Sequence, residues 1–312
     1  MGIGRLTRSL VTRLDRKYGL LTSSGSAALI LSLRSANIPF GSEIIMPTIC
    51  CPAVLSAIQL AGYIPILADI SLKNFCMNKN EVEDVMTSNT KAIIAVHGYG
   101  HYCDIDELEV FAKEKGLVLI EDACLSMGST FKGKPTGSFG DISIVSFGYD
   151  KIISEHYGGA LVTDELSFFE EAENILLSNS IFKFNDHLDH CDNIEKKLRD
   201  LDDAISERKN NSRLCHDLLI DDHIKKLPFS EDIVYWRYPA LIIKNRNKLV
   251  KDALEHEIII TTHYKPLHHF YTGLNFKNAQ YLSENIINIF IRPETPKQQI
   301  LDTINFINMF LE

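Results

Sequence analysis

Residues 142–163 read ISIVSFGYDKIISEHYGGALVT. An apolar run (Ile142, Ile144, Val145, Phe147) ends in a short polar turn that carries Lys151, and a second apolar run, Ala160 to Val162, follows the Gly158-Gly159 pair. Runs this apolar are expected to be buried strands. A lysine between two buried strands meets water-poor walls, which favour its neutral amine. That is the form a carbonyl-trapping lysine needs. A surface lysine in a hairpin turn would look the same from these residues alone, so the rest of the chain has to decide.

Upstream, short β-type runs alternate with helical segments. Strands are expected at Glu43–Pro47, Ile64–Asp69, Thr90–His97 and Leu117–Glu121, and helices at residues 5–17, Ala27–Ala36, Pro52–Leu60, Glu81–Met86 and Asp104–Lys115. Alternation with continuously apolar strands implies an α/β fold with a mainly parallel sheet sandwiched by helices. Ligands of such sheets collect at the carboxyl ends of the strands. Pro47, Asp69, His97, Asp122 and the Lys151 turn therefore become candidates for one pocket rim.

Downstream, residues 178–192 (SNSIFKFNDHLDHCD) are polar and irregular and read as a loop. Asn193–Leu219 reads as one long charged helix bridging into a second region. There, strands are expected at Ile233–Ile243 and Glu257–Thr261, and helices at Lys248–Glu255 and Thr295–Leu311. The expected organisation is a large domain over 1–192 and, over 193–312, the bridging helix with a small C-terminal α+β domain.

Composition narrows the function. The 312 residues are 45% hydrophobic, with a formal net charge of −9 and no dense Lys/Arg block. Nucleic acid and anionic membrane are not expected as partners. No apolar run approaches membrane-spanning length. The seven cysteines form no CxxC pair, and the amphipathic N-terminus lacks the apolar core of a signal peptide, so a cytoplasmic protein with reduced thiols is expected. His97, His101 and Cys103 match no common zinc spacing, and no metal is expected.

Three signals occur in a meaningful order. Ser24-Gly25-Ser26 opens a helix, where free N–H groups and hydroxyls suit a phosphate, although an ordinary Ser N-cap reads the same way. Asp122 ends an apolar strand, where a carboxylate needs either a cationic partner or a helix to cap. Lys151 follows one strand later. Pyridoxal phosphate asks for these three things: a phosphate cradle, a carboxylate for its ring nitrogen and an amine for its aldehyde. Ser146 adds a hydroxyl beside the lysine turn.

The blocks SSGSAALILSL, GSEIIMPTICCPAVLSAIQLAGYIPILADI, TKAIIAVHGYGHYCDIDEL, GLVLIEDACLSMGSTFKGKPTGSFGDISIVSFGYDK and GGALVTDE resemble successive blocks of the DegT/DnrJ/EryC1/StrS aminotransferases. The tail HYKPLHHF with INIFIRPETP is similar more loosely. The resemblance implies a fold type I, pyridoxal-phosphate-dependent transferase that aminates keto sugars attached to nucleotides, working as a homodimer with shared active sites. It implies Lys151 as the Schiff-base lysine, Asp122 as the ring-nitrogen carboxylate, Gly25 and Ser26 as the phosphate pair, and Ser146 as a further phosphate contact. Cys51 stands where the family usually stacks an aromatic ring on the cofactor. Leu125 replaces a glutamine, and His156-Tyr157 replaces Gly-Glu ahead of the Gly-Gly pair. Asn185 is the candidate for the segment that reaches the neighbouring subunit's phosphate.

On the substrate side the candidates are His156, Tyr157, Asn185, Arg237, His263 and His268. For Arg237 the functional reading is a bidentate hold on a donor carboxylate, and the structural reading is a domain-boundary arginine. His263 and His268 suit either substrate contact or domain packing; His187 and His190 read as solvated. The expected function is amino transfer from an amino acid, glutamate by resemblance, to a keto or aldehyde acceptor such as a nucleotide-linked keto sugar. Two alternatives remain open. One is a pyridoxal-phosphate enzyme of another reaction type or with a small non-nucleotide substrate, and the other is a cofactor-bound regulatory protein without turnover.

Overall fold

In a computed structural model of the chain, the residues described are 2–185, 189–220, 222–271 and 273–312; His187 lies outside them. The first half runs α1 (Gly2–Arg13), β1 (Tyr18–Thr22), α2 (Gly25–Ser35), β2 (Glu43–Pro47), α3 (Pro52–Ala61), β3 (Ile64–Ala68), α4 (Lys79–Glu83) and β4 (Thr90–Val96). Next come α5 (Ile105–Lys115), β5 (Val118–Asp122), the small hairpin β6 (Thr130–Phe131) and β7 (Lys134–Pro135), β8 (Ile142–Ser146), β9 (Gly159–Thr163) and α6 (Leu166–Ser178). The remainder is α7 (His190–Arg199), α8 (Leu201–Leu218), β10 (Ile224–Lys225), β11 (Tyr238–Ile242), α9 (Arg246–Glu255), β12 (Ile260–Thr261), α10 (His268–Tyr271), α11 (Lys277–Asn285), β13 (Ile286–Ile289) and α12 (Lys297–Leu311).

Among the described residues, seven strands form one sheet in the order β1-β9-β8-β5-β4-β2-β3. The pairs β2–β3, β2–β4, β4–β5 and β5–β8 are parallel, whereas β8–β9 and β1–β9 are antiparallel. The expected mainly parallel sheet is therefore present, with an antiparallel edge. The Lys151 stretch is the hairpin joining β8 to β9, and its two strands are buried throughout. Helix α2 is apolar nearly all round because it is covered on every side, by α3 and α6 as well as β8 and β9. Each of its fully buried leucines, such as Leu31 and Leu33, contributes about 1.5–3 kcal/mol. That packing fixes the helix start, and with it Gly25 and Ser26.

A second, antiparallel sheet has the order β10-β11-β13-β12 and packs against α8, α9 and α12. The expected single helix over 193–219 is two, α7 and α8, parted at Asp200. The break lets Leu198 and Leu201 both enter the core under α1. The expected strand over 233–243 is confined to β11, because Val234 N–H donates to Ser129 Oγ (2.8 Å) and Trp236 N–H to the Tyr99 carbonyl (3.1 Å), outside any ladder. Among the described residues no helix is long and apolar enough to cross a membrane.

The parallel strands end on a buried polar hub one residue before Asp122. Glu121 is fully buried and accepts from His97 Nε2 (2.8 Å), Gly137 N–H (2.6 Å), Phe139 N–H (2.9 Å) and Ser143 Oγ (2.8 Å). His97 Nδ1 accepts from Cys103 N–H at 3.2 Å, which leaves Nε2 as the donor. Burial alone would raise the Glu121 pKa. The hydrogen bonds from His97 and Gly137 N–H, together with Arg16, outweigh it and leave the carboxyl below its ordinary 4.5. A depressed folded-state value adds stability above the unfolded pKa and loses it as the pH falls through the folded one. Glu121→Gln is accordingly expected to cost about 2–3 kcal/mol at pH 7 and to make unfolding less steep below pH 4.5. Urea midpoints at pH 7 and pH 3.5 check both points.

Candidate active site

A cavity of about 160 Å³ lies at the carboxyl ends of the central strands, lined by Gly25, Ser26, Cys51, Asp122, Ser146 and Lys151 among others. All six residues that the sequence assigned to the cofactor thus meet in one place. Each arrives for a local reason. Ser24 caps α2, its Oγ accepting from Ala27 N–H at 3.1 Å, and helix geometry leaves the N–H groups of Gly25 and Ser26 without an intrahelical partner. Cys51 is the N-cap residue of α3, whose first turn is set by Pro52. Asp122 is the last residue of β5 and Ser146 the last of β8, neighbouring parallel strands. Lys151 comes out of the β8–β9 hairpin, half-buried.

The floor is tight. A Cβ at Gly25 would lie 2.9 Å from Ser146 Cβ and 3.1 Å from its Oγ, and one at Gly159 would lie 2.6 Å from Gly25 N. The first contact is with a side chain, whereas the second is with backbone that cannot move aside. Gly159→Ala is expected to destabilise the protein by about 3 kcal/mol, read as a lowered urea midpoint, with a matching loss of cofactor retention.

Asp122 is 6% exposed and lines the cavity, yet it forms no salt bridge among the described residues. Its Oδ1 accepts from Cys124 N–H at 3.0 Å. A buried carboxylate without a cation carries a large desolvation cost that a cationic ligand atom would relieve. Burial, with Asp122 next, pushes the Cys124 thiol well up, so it lines the cavity as a small apolar group. A second recess shares Cys51, Asp122, Cys124 and Lys151 and adds Tyr99, Leu125 and Tyr264. Burial likewise raises the Tyr99 and Tyr264 hydroxyls, keeping both neutral.

The substrate-side candidates scatter. His156 lines a third cavity, of about 440 Å³, on which Lys151 also opens. Tyr157 packs on Phe184 and His190, and its hydroxyl accepts from the backbone N–H of exposed Asn185 at 2.8 Å. His190 is tied to Glu155 at 3.3 Å instead of standing solvated. Arg237 is buried, stacked on Trp236 and Phe290, and paired with Asp150, while its Nη1 donates to Thr261 Oγ1 (2.6 Å) and His263 Nδ1 (3.1 Å). Those bonds fit its domain-boundary reading. Partial burial, then Arg237, lower the His263 pKa, consistent with a ring nitrogen that accepts. His268 is 1% exposed against Thr48 Oγ1 (2.9 Å) and ties the tail to the residue that follows β2. Asp69 caps α11, accepting from Asn278 N–H (3.0 Å) and Ala279 N–H (2.8 Å).

Sequence reasoning missed Asp150. It immediately precedes Lys151, has φ of 55°, pairs with both Arg237 and Arg292, and accepts Trp236 Nε1–H on its carbonyl at 2.5 Å. Its position beside the lysine was visible; its partners, Trp236 and Arg237 at 86 and 87 residues downstream and Arg292 farther still, were not.

The family model for the DegT/DnrJ/EryC1/StrS aminotransferase family matches residues 3–308. The chain belongs to that family. A GDP-perosamine synthase of Escherichia coli is 38% identical over 154 residues, 49% of this chain and 42% of that relative. The chain spans about two-fifths of the length of the first curated relatives it matches. A dTDP-3-amino-3,6-dideoxy-alpha-D-galactopyranose transaminase of Aneurinibacillus thermoaerophilus is 24% identical, with 97% of this chain and 88% of that one covered. Among solved structures, a Helicobacter pylori aminotransferase involved in the biosynthesis of pseudoaminic acid superposes with a TM-score of 0.93 at 18% identity, covering 100% of this chain and 91% of the other, which is a likeness of fold. Pyridoxal phosphate, the cofactor of this family, fits the residues present. The unpaired Asp122 carboxylate and the Gly25 cradle suit the two ends of such a molecule.

Proposed function

We propose that the protein is a pyridoxal-phosphate-dependent aminotransferase that moves an amino group from an amino acid to a nucleotide-linked keto sugar. The observation that carries the reading is the convergence of Lys151 with a buried, unpaired Asp122 and the Gly25-Ser26 helix start in one cavity. Gly25, Ser26 and Ser146 would hold the phosphate through N–H groups and hydroxyls. Asp122 would keep the ring nitrogen protonated, Cys51 and Cys124 would line the ring's slot, and Lys151 would bind the aldehyde carbon. When bound, the cofactor supplies an aldehyde that takes up the donor's amine and a ring that accepts the electron pair left by a departing proton.

The protein's own work is then positional and protic. Lys151 Nζ would take the proton from the donor's α-carbon and return one to the carbon that next bears nitrogen. Leu125 and Tyr264 narrow the recess beside it and limit water. The GDP-perosamine synthases and the dTDP-sugar transaminase among the relatives favour a nucleotide-linked acceptor, and glutamate as donor follows the family resemblance. Seven cysteines without a disulfide among the described residues agree with a cytoplasmic setting. Exposed apolar side chains such as Ile181, Phe270 and Leu274 agree with a homodimer.

The test is a screen of keto-sugar nucleotides, and of the same sugars without nucleotide, against enzyme first loaded with amine by glutamate. Return of the pyridoxal absorbance with a nucleotide-linked sugar is expected. Return only with free sugars would replace the acceptor class, and no response to any amino donor would favour a regulatory, non-turnover role.

A further inference from the structure

The 440 Å³ cavity beyond Lys151 holds positive charge that the steps above do not use. Arg208 of α8 lines it, 3% exposed, and forms no salt bridge among the described residues. Its Nη1 donates only to the carbonyls of Trp236 (3.0 Å) and Tyr235 (3.4 Å), and its Nε has no partner. Burial pushes this guanidinium down to about 10, against the opposing pull of Glu294 and Asp150. Arg292, just past β13, lines the same cavity; it is tied to Asp150 but its Nε is also unpartnered. The acids nearby are unevenly placed. Asp150 is shared by Arg237 and Arg292, and Glu155 answers Lys197. The other two acidic lining residues, Asp200 and Glu294, are exposed at the mouth. Arg208 is left with no carboxylate bonded to it among the described residues, in a cavity that Lys151 also lines.

We infer that this cavity receives the carboxylate of the amino donor, held by Arg208 and Arg292, with Asp150 orienting Arg292. The inference rests on Lys151 being the amine-exchanging group. A donor amino acid whose amine reacts at Lys151 carries a carboxylate one carbon away, and the two oxygens of a carboxylate match a guanidinium fork. The acidic mouth opposes a diphosphate more strongly than a single carboxylate. This distinguishes the donor from the other anion in the reaction.

The probe is glutarate, a dicarboxylate without an amine, titrated calorimetrically into the holoenzyme, alongside the glutamate half-reaction. Arg292→Gln is expected to weaken glutarate binding and raise the half-saturating glutamate concentration about 10- to 100-fold. The acceptor half-reaction of amine-loaded enzyme should change less than threefold. Arg208→Lys, which keeps charge but loses the fork, should show a smaller loss of the same kind; should it fail to fold, the rim residue Arg292 still decides. Wild-type response to glutamate with no effect of Arg292→Gln would overturn the inference alone. Equal loss in both half-reactions would also overturn it, as would pyrophosphate displacing glutarate while glutamate kinetics stay unchanged in the variant. A wild-type protein blind to glutamate would instead overturn the reading beneath it.

Discussion

Lys151→Ala is expected to abolish borohydride fixation of the cofactor and to lower amino transfer by about 10⁴-fold or more. Two roles end together, the covalent hold on the aldehyde and the proton transfer at Nζ, so the effect exceeds that of any binding residue. The side chain emerges from a hairpin turn, half-buried, between strands whose packing does not depend on it. Folding should survive, with a urea midpoint close to that of the wild type. Cofactor should still enter the cavity, because Gly25, Ser26, Ser146 and Asp122 remain. Addition of a small amine such as methylamine is expected to restore part of the proton transfer, which a misfolded variant could not do.

Asp122→Asn is the second large effect, a loss of about 10³-fold in the donor half-reaction. An amide cannot hold a proton on the ring nitrogen, and the electron-accepting capacity of the ring falls with it. The stability consequence runs the other way. Asp122 is a buried carboxylate with no salt bridge among the described residues, so neutralising it should leave the cofactor-free protein as stable as the wild type or more so. The amide oxygen can still accept from Cys124 N–H. Lost activity in an undiminished scaffold, read from single-turnover rates and apoprotein urea midpoints, marks a residue kept for its chemistry.

The convergence of Gly25, Ser26, Asp122, Ser146 and Lys151 on one cavity was readable from sequence because its parts are local. A helix start, two strand ends and a hairpin turn each leave a short signature, and a parallel sheet brings their ends together. β1 was harder: YGLLT contains glycine, shows no alternation, and pairs with β9, whose register partners start at Thr163. The cluster around Asp150 was hidden because its parts are not local. Arg237, Arg292 and Asp150 meet only because the second sheet docks beside the hairpin, and no spacing in the chain encodes that docking. Asp200 shows the limit for helices, since a continuous charged pattern contains a break that only the burial of Leu198 and Leu201 explains.

The most direct measurement reacts the purified, cofactor-loaded protein with glutamate and then borohydride, locating any modified peptide by mass. Without glutamate, the modification is expected on Lys151 alone. With glutamate, it should disappear as the absorbance passes to that of the pyridoxamine form. A colourless protein after incubation with excess cofactor, or modification at a lysine other than Lys151, would contradict the assignment of this site.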